Sequence, residues 1–167
     1  MYQIGDRVVY GIHGVCLVVD QEERVVDRKR VSYLVLEPVG QKGSRYLLPT
    51  HSQAAMSKLK PMLTPEVLET MLASDEVRVD GWIPDEGRRK QTYRELIACG
   101  DRVRLLRMVR SIYRHKAALA AAGKKSHLSD DNFLRDAEKL LVSEVSVVLN
   151  MDVDAAKAYL RSYLKEE

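Results

Sequence analysis

Residues 61–72, PMLTPEVLETML, decide the fold of this chain, because the hydrophobic period changes within them. Thr64-Pro65-Glu66 is a helix start, with Thr as cap and Pro at the first helical position, where its missing N–H costs nothing. The run Val67-Leu68-Glu69-Thr70-Met71-Leu72 then continues at helical spacing. Upstream, up to about residue 62, the chain is written in short strands; downstream it is written in helices. Segregation of the two periods predicts an α+β protein, with a small antiparallel β-barrel over 1–62 and an all-α part of about five helices over 63–167. Residues 63–81 form the connecting helix and turn of the second part.

The strand half opens with Arg7-Val8-Val9-Tyr10, then Gly11 and Gly14, then Val15-Cys16-Leu17-Val18-Val19. A polar turn around Asp27 to Lys29 precedes Val31-Ser32-Tyr33-Leu34-Val35-Leu36, and Pro38 to Gly43 leads into Arg45-Tyr46-Leu47-Leu48-Pro49. β-branched and aromatic runs of this length, punctuated by Gly and Pro, form a compact antiparallel sheet. About five short strands bury one face only by closing up, hence the barrel.

The helical half continues with a helix from near Pro84 to Cys99, stopped by Gly100. Asp101 caps the next, in which Leu105, Leu106, Val109, Ile112 and Tyr113 make one apolar stripe while Arg104, Arg107, Arg110 and Arg114 fall largely elsewhere. Gly123-Lys124-Lys125 breaks that helix, and Ser129-Asp130-Asp131 caps a fourth, which buries Phe133, Ala137, Leu140, Leu141, Val145 and Val148. A last helix runs from about Val153 to Leu164.

With 46% hydrophobic and 31% charged residues, the composition is that of a globular protein. The net charge of +3 conceals sorting along the chain, since residues 82–128 carry twelve Lys/Arg against four Asp/Glu. Such a block is either a solvated helix face or a grip on an anionic partner. At its head stands the only tryptophan, in the polar turn Asp80-Gly81-Trp82-Ile83-Pro84-Asp85, followed by Arg88, Arg89, Lys90 and Arg94. Trp82 is then either an apolar wedge against bases beside a cationic grip on phosphates, or a cap on a core between helices.

The enzyme signatures are missing. His13, His51, His115 and His127 show no zinc spacing, and His13 beside Cys16 reads as a turn histidine next to a buried thiol. The chain has no phosphate-binding loop, nucleophile elbow or EF-hand pattern, so neither a cofactor nor a metal is expected. No stretch approaches the about 18 apolar residues of a membrane span, and the N-terminus lacks a basic start followed by an apolar run. A cytoplasmic protein with Cys16 and Cys99 reduced, without membrane partners and monomeric in solution, is the expectation. Small antiparallel sheets also expose edges to which a partner strand can add; Arg24, Val25 and Val26 on one strand and Arg45, Tyr46 and Leu47 on another would supply mixed contacts, or are ordinary strand residues.

The opening IGDRVVYGIHGVCLVV, the YLVLEP strand, the Arg45-Tyr46-Leu47-Leu48-Pro49 run, the basic region after Trp82 and the ending from Gly123 through Glu144 together resemble the CarD/CdnL family of bacterial RNA-polymerase-binding transcription factors. The resemblance covers nearly the whole chain. It implies a Tudor-like (SH3-like) N-terminal domain that docks on the polymerase β subunit and a helical domain that meets promoter DNA, without base specificity, at the upstream edge of the bubble. There the family's tryptophan wedges into the minor groove and hinders bubble collapse. Transferred to this sequence, the DNA-binding set is Trp82, Arg88, Arg89, Lys90, Arg94, Arg114, Lys124 and Lys125, and the polymerase-binding set is Arg24, Val26, Arg45, Tyr46, Leu47 and Pro49. Two departures stand out. Many relatives place one residue between the tryptophan and the Arg-Arg step, whereas here Trp82 precedes Arg88-Arg89 by a further four, about one helical turn, with Glu86 in the tryptophan's gapless position. Leu47 stands where some relatives have Arg. The same N-terminal domain type occurs in transcription-repair coupling factors joined to an ATP-driven motor; no motor motif occurs here, so a stand-alone regulator is expected. The rival is an adaptor whose basic helical half binds an acidic protein.

Overall fold

Five strands account for the first part of the chain: β1 (Arg7–Tyr10), β2 (Val15–Val26), β3 (Lys29–Pro38), β4 (Tyr46–Pro49) and β5 (Leu59–Pro61). In the computed structural model, which describes residues 1–165, they form one antiparallel sheet in the order β4-β3-β2-β1-β5. Alternation along the strands sends Val8, Cys16, Val18, Leu34, Leu36, Leu48 and Leu59 into one core. A bulge shifts the β2–β3 register between Val18 and Asp20.

The β2–β3 ladder is longer than the hydrophobic pattern suggested. Beyond the bulge, pairing continues from Asp20↔Val35 out to Val26↔Lys29. The hairpin closes through Asp27 and Arg28, both at positive φ (50° and 65°), as the right-handed strand twist demands of a two-residue turn. This distal arm is polar and exposed, so its ladder rather than burial holds it, and hydrophobic runs mark only its base. A short helix, α1 (Gln53–Met56), precedes β5, with Ser52 Oγ accepting from the Ala55 N–H.

The chain divides into compact units at Met1–Met62 and Leu63–Glu167. The second unit contains α2 (Pro65–Leu72), α3 (Asp75–Arg78), α4 (Glu86–Cys99), α5 (Arg102–Ala121), α6 (Leu128–Val148) and α7 (Val153–Leu164). Local chemistry sets most boundaries: Thr64 Oγ1 accepts from the Val67 N–H, Asp85 from the Arg88 N–H and Asp101 from the Arg104 N–H, and Gly100 ends α4 at φ 70°. The single-turn α3, capped by Ser74, lay below the resolution of periodicity.

Three expectations need correction. Helix α6 starts at Leu128 with His127 at the cap position and no side-chain cap bond, so Asp130 and Asp131 lie inside its first turn. Its buried side includes Leu134, Ala137, Leu141, Val142 and Val145, whereas Phe133, Leu140 and Val148 are only partly covered. On α5, Arg110 is not on the solvent face: it is buried, and its Nη1 donates to the Arg78 carbonyl at 3.1 Å. The core of the unit is one cluster running from Leu68 and Leu72 through Leu106, Val109 and Ile112 of α5 to Leu160 and Leu164 of α7. Among the described residues, no helix is long and apolar enough to cross a membrane.

Candidate nucleic-acid interface around Trp82

The turn between α3 and α4 is fixed to the helices on both sides. The Gly81 N–H donates to Ser111 Oγ of α5 at 3.1 Å, and a Cβ at Gly81 would meet Ser111 Oγ at 3.0 Å and the Arg107 side chain at 3.1 Å. Glycine at 81 therefore lets the turn lie directly on α5. The next N–H, that of Trp82, donates to Asp80 Oδ1 at 3.0 Å, an Asx-type bond that sets the tryptophan's backbone. Arg107 Nε donates to the Glu76 carbonyl at 2.8 Å and anchors the preceding segment.

The Trp82 indole stacks on His115 of α5, with ring centroids 3.5 Å apart and planes 13° from parallel. The Arg89 guanidinium lies over the same indole, its Cζ 4.4 Å from the ring centroid, a cation–π contact. Trp82 remains partly open to solvent. Burial depresses the His115 imidazole below its ordinary 6.5; the Asp130 charge opposes the shift, and Arg89 and His127 reinforce it. The stack is thus a neutral imidazole on an indole at neutral pH.

Arg89 is the strut of this arrangement. It is 2% exposed, and its Nε and Nη2 bond Asp130 Oδ1 and Oδ2 of α6 at 2.9 and 3.2 Å. Its Nη1 donates to the carbonyls of Ile83 (3.0 Å) and Pro84 (3.4 Å). A fork of donors spent in this way gives every nitrogen of the buried cation an acceptor, and it ties the turn, α4 and α6 together. Arg89, expected among the phosphate contacts, is buried with its guanidinium bonded within the protein, and it forms part of the frame that holds Trp82.

The other expected residues separate into groups. Arg88 and Arg94 are exposed on α4, and Arg94 has its Cζ 6.0 Å from the Phe133 ring centroid. Lys90 pairs with Glu86 at 3.0 Å, which lowers the Glu86 pKa through their hydrogen bond. At about 100° per residue, Lys90 and Arg94 lie within about 40° of each other, and Arg88 about 120° from Arg94. Lys124 and Lys125 are exposed beyond the end of α5, as is Arg114 on α5 itself. In the N-terminal unit, Arg24 and Val26 lie on the distal hairpin arm, where Arg24 Nη2 bonds Glu22 at 2.9 Å. Tyr46, Leu47 and Pro49 lie on β4, at the edge of the sheet, with Arg45 just before it. Strand β3 lies between the two sets. Tyr46 also packs in an aromatic cluster, 4.3 Å from His13 and 5.4 Å from Tyr10.

Sequence reading missed the partners of Trp82: His115, Asp130, Ser111 and the packing role of Gly81. Asp130 lies 41 residues from Arg89, and no local pattern announces such a pairing. Gly81 was visible as a turn residue but not as a point of close approach.

Comparison with protein families accounts for nearly the whole chain. Residues 2–60 match the CarD-like/TRCF RID domain, and residues 66–161 match the CarD C-terminal domain. The chain belongs to the CarD family. Comparison with individual curated proteins gave no match. As a CarD-family chain it is a transcription regulator of a kind that works with RNA polymerase. The β-sheet unit and the helical unit are the two halves of that CarD architecture.

Proposed function

We propose that this CarD-family regulator docks on the β subunit of RNA polymerase through its N-terminal sheet and stabilises the open promoter complex by setting Trp82 at the upstream edge of the bubble. The observation that carries the reading is the preorganisation of Trp82. Stacked on His115, covered by Arg89 and fixed at Gly81 and Asp80, the indole loses little rotamer freedom on meeting DNA. A fixed apolar edge suits a fork, where unstacking is already under way and a wedge need only oppose reannealing. Arg88, Lys90 and Arg94, with Lys124 and Lys125, supply phosphate contacts that position the wedge without reading bases. On the sheet, the unpaired side of β4 presents Leu47 and the flanking Arg45 to an added partner strand, and the hairpin arm presents Arg24 and Val26.

The test is Trp82→Ala in a promoter-opening assay with purified polymerase. Polymerase binding should stay at the wild-type level, while the open-complex equilibrium falls about tenfold, the effect of about 1.4 kcal/mol. Undiminished promoter opening by the variant would exclude the wedge.

A further inference from the structure

A groove of about 800 Å³ lies on the helical unit where α5, α6 and α7 meet. Tyr113, Ala117, Ala118 and Leu134 form its apolar lining, with Arg114 and Lys165 at the margin. Tyr113 and Ala117 lie about 160° round α5 from His115, at about 100° per residue. Arg114 lies about 100° and Ala118 about 60° from His115 on the same count, so the groove is centred on the side of α5 away from Trp82, with Ala118 on its nearer margin.

Its cations are of two kinds. Lys116 is paired with Asp131 (2.8 Å) and Arg161 with Glu138 (3.3 Å). Among the described residues neither Arg114 nor Lys165 has a carboxylate partner, and the Lys165 Nζ lies 5.0 Å from the Tyr113 ring centroid. Among the described residues, positive charge is thus left over around an apolar floor. That floor is also low: Ala117 and Ala118 are exposed, as are Ala120, Ala121 and Ala122 beyond them, so the last turns of α5 offer small side chains and no covering element. A helix can approach such a surface closely, because the spacing of packed helices is set by the side chains at the contact.

We infer that this groove docks an acidic amphipathic helix of a protein partner, its apolar face on Ala117, Ala118 and Leu134 and its carboxylates on Arg114 and Lys165. Helix-in-groove recognition needs these two components, an apolar trough and a charge of the opposite sign on its rim. A nucleic-acid backbone fits less well, since its phosphates would meet the two cations while the apolar floor faced a charged surface. The inference is independent of the role of Trp82.

The test uses the full-length protein and a fluorescent synthetic peptide of about 16 residues, long enough for about 24 Å of helix, with Leu and Ala on one face and Glu along both flanks. A scrambled peptide of the same composition is the control. Anisotropy should show the amphipathic peptide binding at least about tenfold more tightly than the scramble, with Arg114→Glu and Ala118→Glu each weakening it about tenfold. Both substitutions fall on exposed helix positions, and circular dichroism verifies that the fold survives. Trp82→Ala should bind the peptide like the wild type. Equal binding of the scramble, full binding by Ala118→Glu, or stoichiometric displacement of the peptide by a short DNA duplex would each overturn the inference, the last by giving the groove to nucleic acid.

Discussion

Arg89→Ala is the substitution that tests the frame around Trp82 most directly. It removes one member of an ion pair whose side chains are 3% and 2% exposed, so Asp130 is left as a buried charge without its partner. Breaking a buried pair in this way costs about 3–5 kcal/mol, and at about 4 °C per kcal/mol for a unit of this size the melting temperature should fall by about 12–20 °C. The bonds to the Ile83 and Pro84 carbonyls also go, but those groups lie in a turn that water can reach. Trp82, the only tryptophan, belongs to the helical unit, so its emission during urea unfolding reports that unit alone. Arg89→Ala, Asp130→Ala and the double variant close a cycle. If the pair is the strut, each single change is severe, the double variant is much less than their sum, and the coupling is about 2–3 kcal/mol. Replacing the pair by Met and Leu should recover most of the stability while leaving the indole without its cation. Additive losses, or a single variant costing under about 1 kcal/mol, would refute the reasoning, because a desolvated bidentate pair cannot be removed so cheaply.

Three further outcomes follow from the same site. His115 has a depressed folded-state pKa, so between that value and the unfolded value of 6.5 the unfolded chain binds more protons; the stability contributed by neutral His115 is complete above pH 6.5 and is lost as pH falls through the folded pKa. Urea unfolding followed through Trp82 over pH 5–8 should show this decline, and His115→Phe, which keeps a ring beneath the indole, should remove it; an unchanged pH profile in the variant would contradict the assignment. For DNA, Arg88→Ala should reduce the salt slope of binding by about 0.9 for each phosphate that Arg88 neutralises. Glu86→Gln should raise affinity by releasing Lys90, and a weaker complex would show that Lys90 does not face phosphate.

What the sequence made legible was local. Thr64, Asp85, Asp101 and Gly100 mark their helix ends because a cap or a left-handed residue acts within three or four positions. Charge counting failed where burial decides the role. Twelve cations in residues 82–128 make one basic block in the sequence, yet Arg89 and Arg110 lie inside the unit and Arg102 is bidentate to Glu144 at 2.6 and 2.8 Å. The partners that draw these side chains in are 41 and 42 residues away for Arg89 and Arg102, beyond any helical period. The same failure explains the puzzle of the extra turn between Trp82 and Arg88-Arg89. Aligned by spacing, the tryptophan is displaced from the basic step. In space, Arg89 reaches back from the first turn of α4, bonds the carbonyls of Ile83 and Pro84 and lays its guanidinium on the indole. An arginine with its head bound to Asp130 can span that gap only because its side chain is long and its fork serves three acceptor groups at once, which a lysine's single ammonium could not do in the same geometry. The turn from Asp80 to Asp85 is thereby held in one frame with α4 and α6, and the second arginine of the pair fixes where Trp82 stands.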